Sequence, residues 1–232
     1  FRSRNGHRLG DIIHSGPIYV GPPNAPYPDQ IEGSSAAESY YTFMTVNASR
    51  VGRVYVGAND GMLHGFDASS GRETMAYIPS LLFSSQSGEG LHQLAAQGYV
   101  HDYFVDLSPT VADYYDTTTS KWKTILIGGL RAGGKGLFAL DITAPTGTTE
   151  ANASDVALWE YTHADLGYTF SEVQVGRLNN GKWAAIFGNG YNSTGDGRAK
   201  LFIYYLDGTT PTILDTKAGS IVAGSCADIS SD

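Results

Sequence analysis

Cysteine is nearly absent. The single Cys226 excludes a disulfide within the chain, a cysteine-pair zinc site and a Cys-x-x-Cys redox motif. In an exported protein an unpaired thiol implies a partner beyond the residues in hand. Long apolar runs are missing too: none approaches the ~20 residues that a membrane-spanning helix needs. The opening FRSRNGHRLGD has neither an initiating Met nor a signal-peptide apolar core, so residue 1 is expected to lie inside a longer precursor. Positive charge is scarce. With 15 Lys and Arg against 23 Asp and Glu the net charge is −8, and no five-residue window is a basic cluster, which argues against a surface that tracks nucleic-acid phosphates. The acidic balance suits solubility and is compatible with divalent cations.

What is abundant points one way. Gly 29, Tyr 15 and 41% hydrophobic residues favour strands joined by tight turns around a real core. Three segments share one grammar: RVYVGANDGMLHGFDASSG from Arg53, KTILIGGLRAGGKGLFALDITAP from Lys123, and WAAIFGNGYNSTGDGRAKLFIYYLDGTTP from Trp183. In each, a β-rich run ends at Gly57, Gly128 or Gly188, a glycine-rich turn follows, and a second run ends at Asp67, Asp141 or Asp207. The glycine-to-aspartate distance grows from 10 to 13 to 19 residues, so insertions collect in one loop. A further strand candidate precedes each hairpin (from Ser15, Leu107 and Phe170) and another follows (from Glu73, Val156 and Pro211). Four short antiparallel strands, repeated in series, predict an all-β chain built as β-propeller blades, because one small sheet cannot bury both faces until neighbours stack on it.

The expected blades span roughly residues 8–80, 100–163 and 168–216, with the start of another over 217–232. Three blades do not close a ring, so the propeller is expected to be incomplete in this chain. The aspartates that end each hairpin are read as structural acceptors for backbone N–H groups in the following turn. One short helix is expected at Glu89–Gln97 with Gly98 as its C-cap, and a helical turn around Ala37–Val46 closes a proline-rich insertion.

Sequence constellations for chemistry are weak. The six histidines (7, 14, 64, 92, 101 and 163) show no paired metal spacing, and His64, between Leu63 and Gly65, reads as a satisfied structural residue. GGLRAGGKG, Gly128 to Gly136, lacks the ending of a phosphate loop and reads as a flexible hairpin tip with Arg131 and Lys135 solvated. Asn192, Ser193, Thr194 and Asp196 could offer oxygens to calcium, but the run does not match an EF-hand loop and an ordinary polar turn explains the same residues. Asp113 and Asp116 flank a strand end rather than a cleft, and no G-x-S-x-G elbow is present. No catalytic, cofactor-binding or metal-binding residue is assigned, and the chain is not expected to be an enzyme.

FDASSGRETMAYIP, with Asp67, Gly71 and Arg72, resembles the quinoprotein type of blade. That class includes pyrroloquinoline-quinone dehydrogenases, which stack their cofactor on a ring of two adjacent cysteines, and Cys226 alone cannot form one. RLGDIIHSGPIYVG, RVYVGANDGMLHGFDA, YFVDLSPTVAD, ILIGGLRAGGKGLFALDIT, ALWEYTHADLGYTFSEVQVGRL and AAIFGNGYNS together resemble the C-terminal propeller of the PilY family, collinearly from about Arg8 to Leu206. These are type IV pilus assembly factors and tip adhesins, called PilC in some lineages. The resemblance implies an exported protein at the pilus tip and outer-membrane surface, preceded by a variable N-terminal region. It implies pilus subunits (major or minor pilins) and a host or abiotic surface as partners, and roles in promoting extension, opposing retraction and attaching. The family's D-x-D-x-D-G calcium loop has no counterpart in these residues, so calcium is implied for the full-length protein only. The rival readings are a quinoprotein dehydrogenase and a periplasmic scaffold propeller unrelated to pili.

Partner contacts are expected on loops: Tyr27, Tyr40 and Tyr41 in or beside the Pro22 to Ser49 insertion, and Asn192, Asp196 and Arg198 in the longest hairpin tip. The bland alternative is that the tyrosines only pack the insertion onto its own blade.

Overall fold

The computed structural model describes residues 9–33, 37–86, 88–146 and 149–218. It contains three four-stranded antiparallel sheets, each a simple meander, and they correspond to three blades of an incomplete propeller. Blade one has β1 Ile18–Val20, β2 Arg53–Gly57, β3 Leu63–Asp67 and β4 Glu73–Tyr77. Blade two has β5 Thr110–Asp116, β6 Lys121–Gly129, β7 Leu137–Asp141 and β8 Ala157–Tyr161. Blade three has β9 Gln174–Arg177, β10 Trp183–Gly188, β11 Lys200–Tyr205 and β12 Thr212–Asp215. Residues 219–232, which hold Cys226 and most of the stretch read as a further blade, lie outside the described residues, as does His7.

The repeat reaches into backbone detail. Asp67, Asp141 and Asp207 each accept a hydrogen bond from the amide two residues on (Ser69, Thr143 and Thr209, at 2.9–3.1 Å). These are Asx turns, in which the carboxylate mimics a backbone acceptor. In blades one and two the pairing of third and fourth strands shifts register at the same place, after Gly65 and after Ala139, two residues before the aspartate.

Blade two shows why its strands read as nearly unbroken apolar runs. In β6, Ile125 and Ile127 join a core with Trp183, Phe187 and Phe202 of blade three, while Leu126 joins a second core with Val20, Tyr55 and Leu63 of blade one. In β7, Leu137 and Ala139 face the first core, and Phe138 and Leu140 the second. A strand alternates its side chains between faces, so a sheet sandwiched between two neighbours needs apolar residues at every position. Each fully buried large side chain contributes on the order of 1.5–3 kcal/mol.

Helical content departs from expectation. Helix α1 is Tyr40–Val46, started by Ser39, whose hydroxyl accepts from Thr42 N at 3.2 Å. Helix α2 is only Leu91–Ala95 and ends with Ala96 in extended conformation, so Gly98 is not its cap. Gly90 supplies the unusual backbone at its start instead, with φ of 53°. A third helix, α3 Ala153–Val156, leads directly into β8. The i, i+3, i+4 spacing sets a direction for α2 but not its length, since both Leu91 and Leu94 are used against the blade-one core within little more than one turn.

The first strands converge: β5 and β9 approach each other, and Ile18–Val20, Val111–Asp113 and Val175 line one cavity of about 370 Å³. The insertion after β1 closes one side of this space. No helix among the described residues is long and apolar enough to cross a membrane.

Candidate functional site

The insertion is held by aromatic packing and a polar chain. Tyr27 lies among Tyr40, Trp122 and Trp183, with ring centroids 5.2, 5.8 and 5.3 Å away. Tyr40 is 0% exposed. Its hydroxyl donates to Asp113 Oδ2 at 2.7 Å and accepts from Ala25 N at 2.8 Å. Burial and the Asp113 carboxylate push the Tyr40 hydroxyl pKa well up. Asp113 Oδ1 accepts from Thr124 Oγ1 at 2.6 Å, Thr124 Oγ1 accepts from Arg50 Nη1 at 2.6 Å, and Arg50 Nε donates to the Gly21 carbonyl at 2.8 Å. The two ends of the insertion are thereby tied together across blade two. Two acidic side chains clip its middle: Glu38 accepts from Trp122 N at 2.9 Å, and Glu32 accepts from Trp183 Nε1 at 2.7 Å and Arg177 Nε at 2.9 Å.

Of the expected contact residues, Tyr40 is core and Tyr27 is partly buried against that core. Tyr40 is enclosed, and Tyr27 is packed between the two tryptophans, because the insertion folds back onto blades two and three to cover them. Tyr41 is different. Neighbouring residues on a helix point about 100° apart, and Tyr41 is 65% exposed. Its amide is fixed by Asp29 Oδ1 at 2.8 Å.

The blade-three tip is also built rather than loose. Asn189 donates to Asp165 O at 3.2 Å and to Arg198 O at 2.8 Å, and accepts from Lys200 N at 3.0 Å. The Lys200 ammonium sits 2.8 Å from Asp165 Oδ1 and 2.9 Å from Asp196 Oδ1. Arg198 pairs with Asp215 at 3.0 Å, and its amide donates to Asp196 Oδ1 at 3.1 Å. Asn192 has φ of 63° and is exposed, as is Asp196. Hydrogen bonding to Lys200 and the Arg198 amide holds the Asp196 carboxyl below its ordinary pKa. Of the oxygens considered for calcium, Asp196 Oδ1 pairs with the Lys200 ammonium, and Thr194 Oγ1 donates to the Ala164 carbonyl at 3.2 Å. Among the described residues no group of three or more His, Cys, Asp or Glu is placed to hold a metal ion. Replacing Lys200 by Met is expected to leave Asp165 and Asp196 facing each other, and limited proteolysis should then cut faster within residues 192–198 while the blades lose little thermal stability. An unchanged cleavage rate would mean that the Asn189 bonds suffice.

Arg131 corrects the reading of the blade-two tip as solvated. Its guanidinium lies 3.2 Å from the buried Asp106 and 4.5 Å over the Phe170 ring, and its amide donates to Thr169 Oγ1 at 2.9 Å. Lys135 lies 5.7 Å over Tyr168. Tip and linker are cemented by these cation–π contacts, which the glycine-rich sequence gave no means of anticipating. Asp113 and Asp116 serve separate structural partners, the latter bonding the Thr118 amide at 2.9 Å and Lys123 Nζ at 3.0 Å. Neither Arg50 nor Asp113 carries a sequence signal of its role, since their meeting depends on the path of the insertion.

The exposed side chains among the expected contact residues lie at two separate places: Tyr41 on α1, and Asn192, Asp196 and Arg198 in the tip that joins β10 to β11. Residues 9–224 match the family model described as the PilY1 beta-propeller domain. The chain is 49% identical over 210 residues to the type IV pilus biogenesis factor PilY1 of Pseudomonas aeruginosa strain PAO1, covering 88% of this chain and 16% of that protein. It is 40% identical over 203 residues to a PilY1 homolog of Xylella fastidiosa, covering 86% of this chain and 16% of the homolog. Its fold matches the crystal structure of the Pseudomonas aeruginosa PilY1 C-terminal domain with a TM-score of 0.65 at 39% identity, over 90% of this chain and 38% of that one. The chain spans about one sixth of the length of the curated relatives it matches. With the family model matched across all three blades and relatives this similar, the chain belongs to the PilY1 β-propeller family.

Proposed function

We propose that this propeller works in type IV pilus biogenesis as a binding and assembly module rather than as an enzyme. The observation that carries the reading is the 49% identity, sustained over 210 residues, to a protein named as a type IV pilus biogenesis factor. In the finer reading, the protein is exported to the pilus tip and outer-membrane surface, engages pilin subunits, promotes extension against retraction and attaches the cell to surfaces. A rigid scaffold presenting short, ordered loops suits such a role, since binding residues on fixed loops lose little entropy when a partner docks. The test is deletion of residues 9–218 from the full-length protein with export retained. Surface pili, measured by shearing and immunoblotting, should be lost; wild-type piliation would overturn the reading.

Within that reading the partner contacts lie at Tyr41, Asn192, Asp196 and Arg198. Tyr41→Ala, and separately a tip shortened between Asn192 and Arg198, should reduce piliation or attachment. For Tyr41→Ala the melting temperature should stay within about 2 °C, because an exposed side chain contributes little to the isolated fold. If both variants assemble pili and attach normally, the contact surface is elsewhere.

A further inference from the structure

The segment leading into β1, residues 9–16, lies on a row of polar side chains from the β2–β3 turn of blade one and from the linker to blade two. Gly10 N donates to Asp60 Oδ2 at 2.6 Å. Asp11 O accepts from Asn59 N at 2.9 Å, and its carboxylate meets Asn59 Nδ2 at 3.1 Å and His101 Nε2 at 2.6 Å. His14 Nδ1 lies 2.8 Å from Asp106 Oδ2, and Gly16 N donates to Ser108 Oγ at 2.8 Å. The fit over the β2–β3 turn is close: a Cβ on Gly10 would stand 2.5 Å from Asp60 N.

Behind Asp60 stands His64, 3% exposed in its side chain. Its Nδ1 lies 2.6 Å from Glu73 Oε1, and its Nε2 lies 3.1 and 3.2 Å from the two Asp60 oxygens. A neutral imidazole has one donor and one acceptor nitrogen, so it can satisfy only one of these carboxylates; the imidazolium donates to both. Without the proton, a ring lone pair faces a carboxylate in a poorly solvated place. The groups facing His64 are Asp60 from the β2–β3 turn, Glu73 from β4 and the Phe66 ring from β3, 5.9 Å away.

We propose that His64, held between Glu73 and Asp60, is a proton-controlled latch that fastens residues 9–16 to blade one. Protonated, it donates to both carboxylates and steadies Asp60 under the Gly10 amide; deprotonated, it has one donor for two carboxylates and no charge, so the support for Asp60, and with it the hold on this end of the segment, weakens. Burial of the ring opposes the charged form, but the hydrogen bonds and charges of Asp60 and Glu73 outweigh it and raise the His64 pKa above its ordinary value. For a raised histidine the stabilisation is complete below about pH 6.5 and is lost as pH rises through the folded value. The latch therefore opens on the alkaline side. Asp11 does not cancel this trend. Burial raises its pKa, but hydrogen bonds from Asn59 and His101 outweigh that and lower it, so its contribution is lost only on the acid side.

The test uses hydrogen–deuterium exchange on the full-length protein across a pH series, with amide rates corrected for intrinsic pH dependence. Exchange at the histidine C2 position reports the ionisation of His64, and peptides spanning residues 9–16 report the segment. The expected result is a His64 midpoint above about 6.5, with segment protection falling at the same midpoint. Glu73→Gln is the informative variant, because Glu73 is 48% exposed and its loss spares the fold. It should move both midpoints down together by about one pH unit, a tenfold change in proton affinity. A His64 midpoint at or below the ordinary value, or segment protection that ignores His64 ionisation, would overturn the latch.

Discussion

Trp122→Ala lowers the unfolding free energy by about 4 kcal/mol, the largest loss expected of any single aromatic truncation here. Trp122 is 2% exposed and sits at the meeting point of three bodies. Its ring touches Tyr40 and Phe43 of α1 at 4.7 and 6.4 Å, Tyr115 of β5 at 5.7 Å and Trp183 of β10 at 5.7 Å. Its Nε1 donates to the Glu38 carbonyl at 3.2 Å. Alanine removes the packing of a whole indole and leaves a cavity that rigid sheets on two sides cannot close, and it also strands a carbonyl. At about 2–4 °C per kcal/mol for a chain of this size, the melting temperature should fall by about 8–16 °C. Trp122→Phe keeps most of the packing and should cost well under half as much. The insertion itself should become protease-sensitive in the alanine variant, since Tyr27 loses a wall of its pocket. A loss below about 1 kcal/mol in urea titration would show that the insertion packs independently of the blades.

Gly57→Ala is the second large effect, with an expected loss of about 3 kcal/mol from adding one methyl group. A Cβ at this position would lie 2.2 Å from the Val105 carbonyl oxygen and 2.9 Å from Val105 Cγ1. The obstacle is backbone, so no rotamer change relieves it. Residues 105–107 are the linker between blades one and two, and they are pinned where they pass. Gly57 N donates to Ser15 Oγ at 2.9 Å, and Ser15 Oγ donates to Leu107 O at 3.2 Å. Pushing the linker away breaks that junction as well as straining β2. Gly176 in β9 is the control, because a Cβ there meets nothing within 4 Å. Gly176→Ala should be neutral or slightly stabilising, since alanine reduces the freedom of the unfolded chain. Equal effects at the two positions in thermal melts would sink the steric account.

The three hairpin glycines show how far a repeat can be read. Their spacing identified the blades, and the aspartate turns behaved as the pattern required, because both are local: a turn is closed by residues a few positions apart. Why each glycine is there is not local. At Gly57 the neighbour is a linker carbonyl, at Gly128 it is the Phe138 ring, 2.3 Å from an added Cβ, and at Gly188 only ordinary contact with Ser171 at 3.6 Å. One letter in one register carries three different steric demands.

The contact residues divide in the same way. Composition and the Pro22 to Ser49 insertion put tyrosines on a loop, and loops are where partners bind. Whether a loop tyrosine points out or in depends on what the loop folds against, and here Trp122 and Trp183, brought together from separate blades, draw Tyr27 and Tyr40 inward and leave Tyr41 outside. Arg131 and His64 follow suit. Each sits in a stretch that reads as an ordinary turn or strand, and each meets its carboxylate only through packing: Asp106 across the linker for one, Asp60 and Glu73 on either side of a buried ring for the other. The sequence by itself determined the all-β class, the four-strand repeat, the Asx turns and the family, since alternation, turn chemistry and collinear motifs are written within a few residues of one another. Which loop residues are core, which glycines are indispensable and which charges meet were decided only by the tertiary structure, because those depend on side chains dozens of residues apart being forced together when the sheets bury their faces.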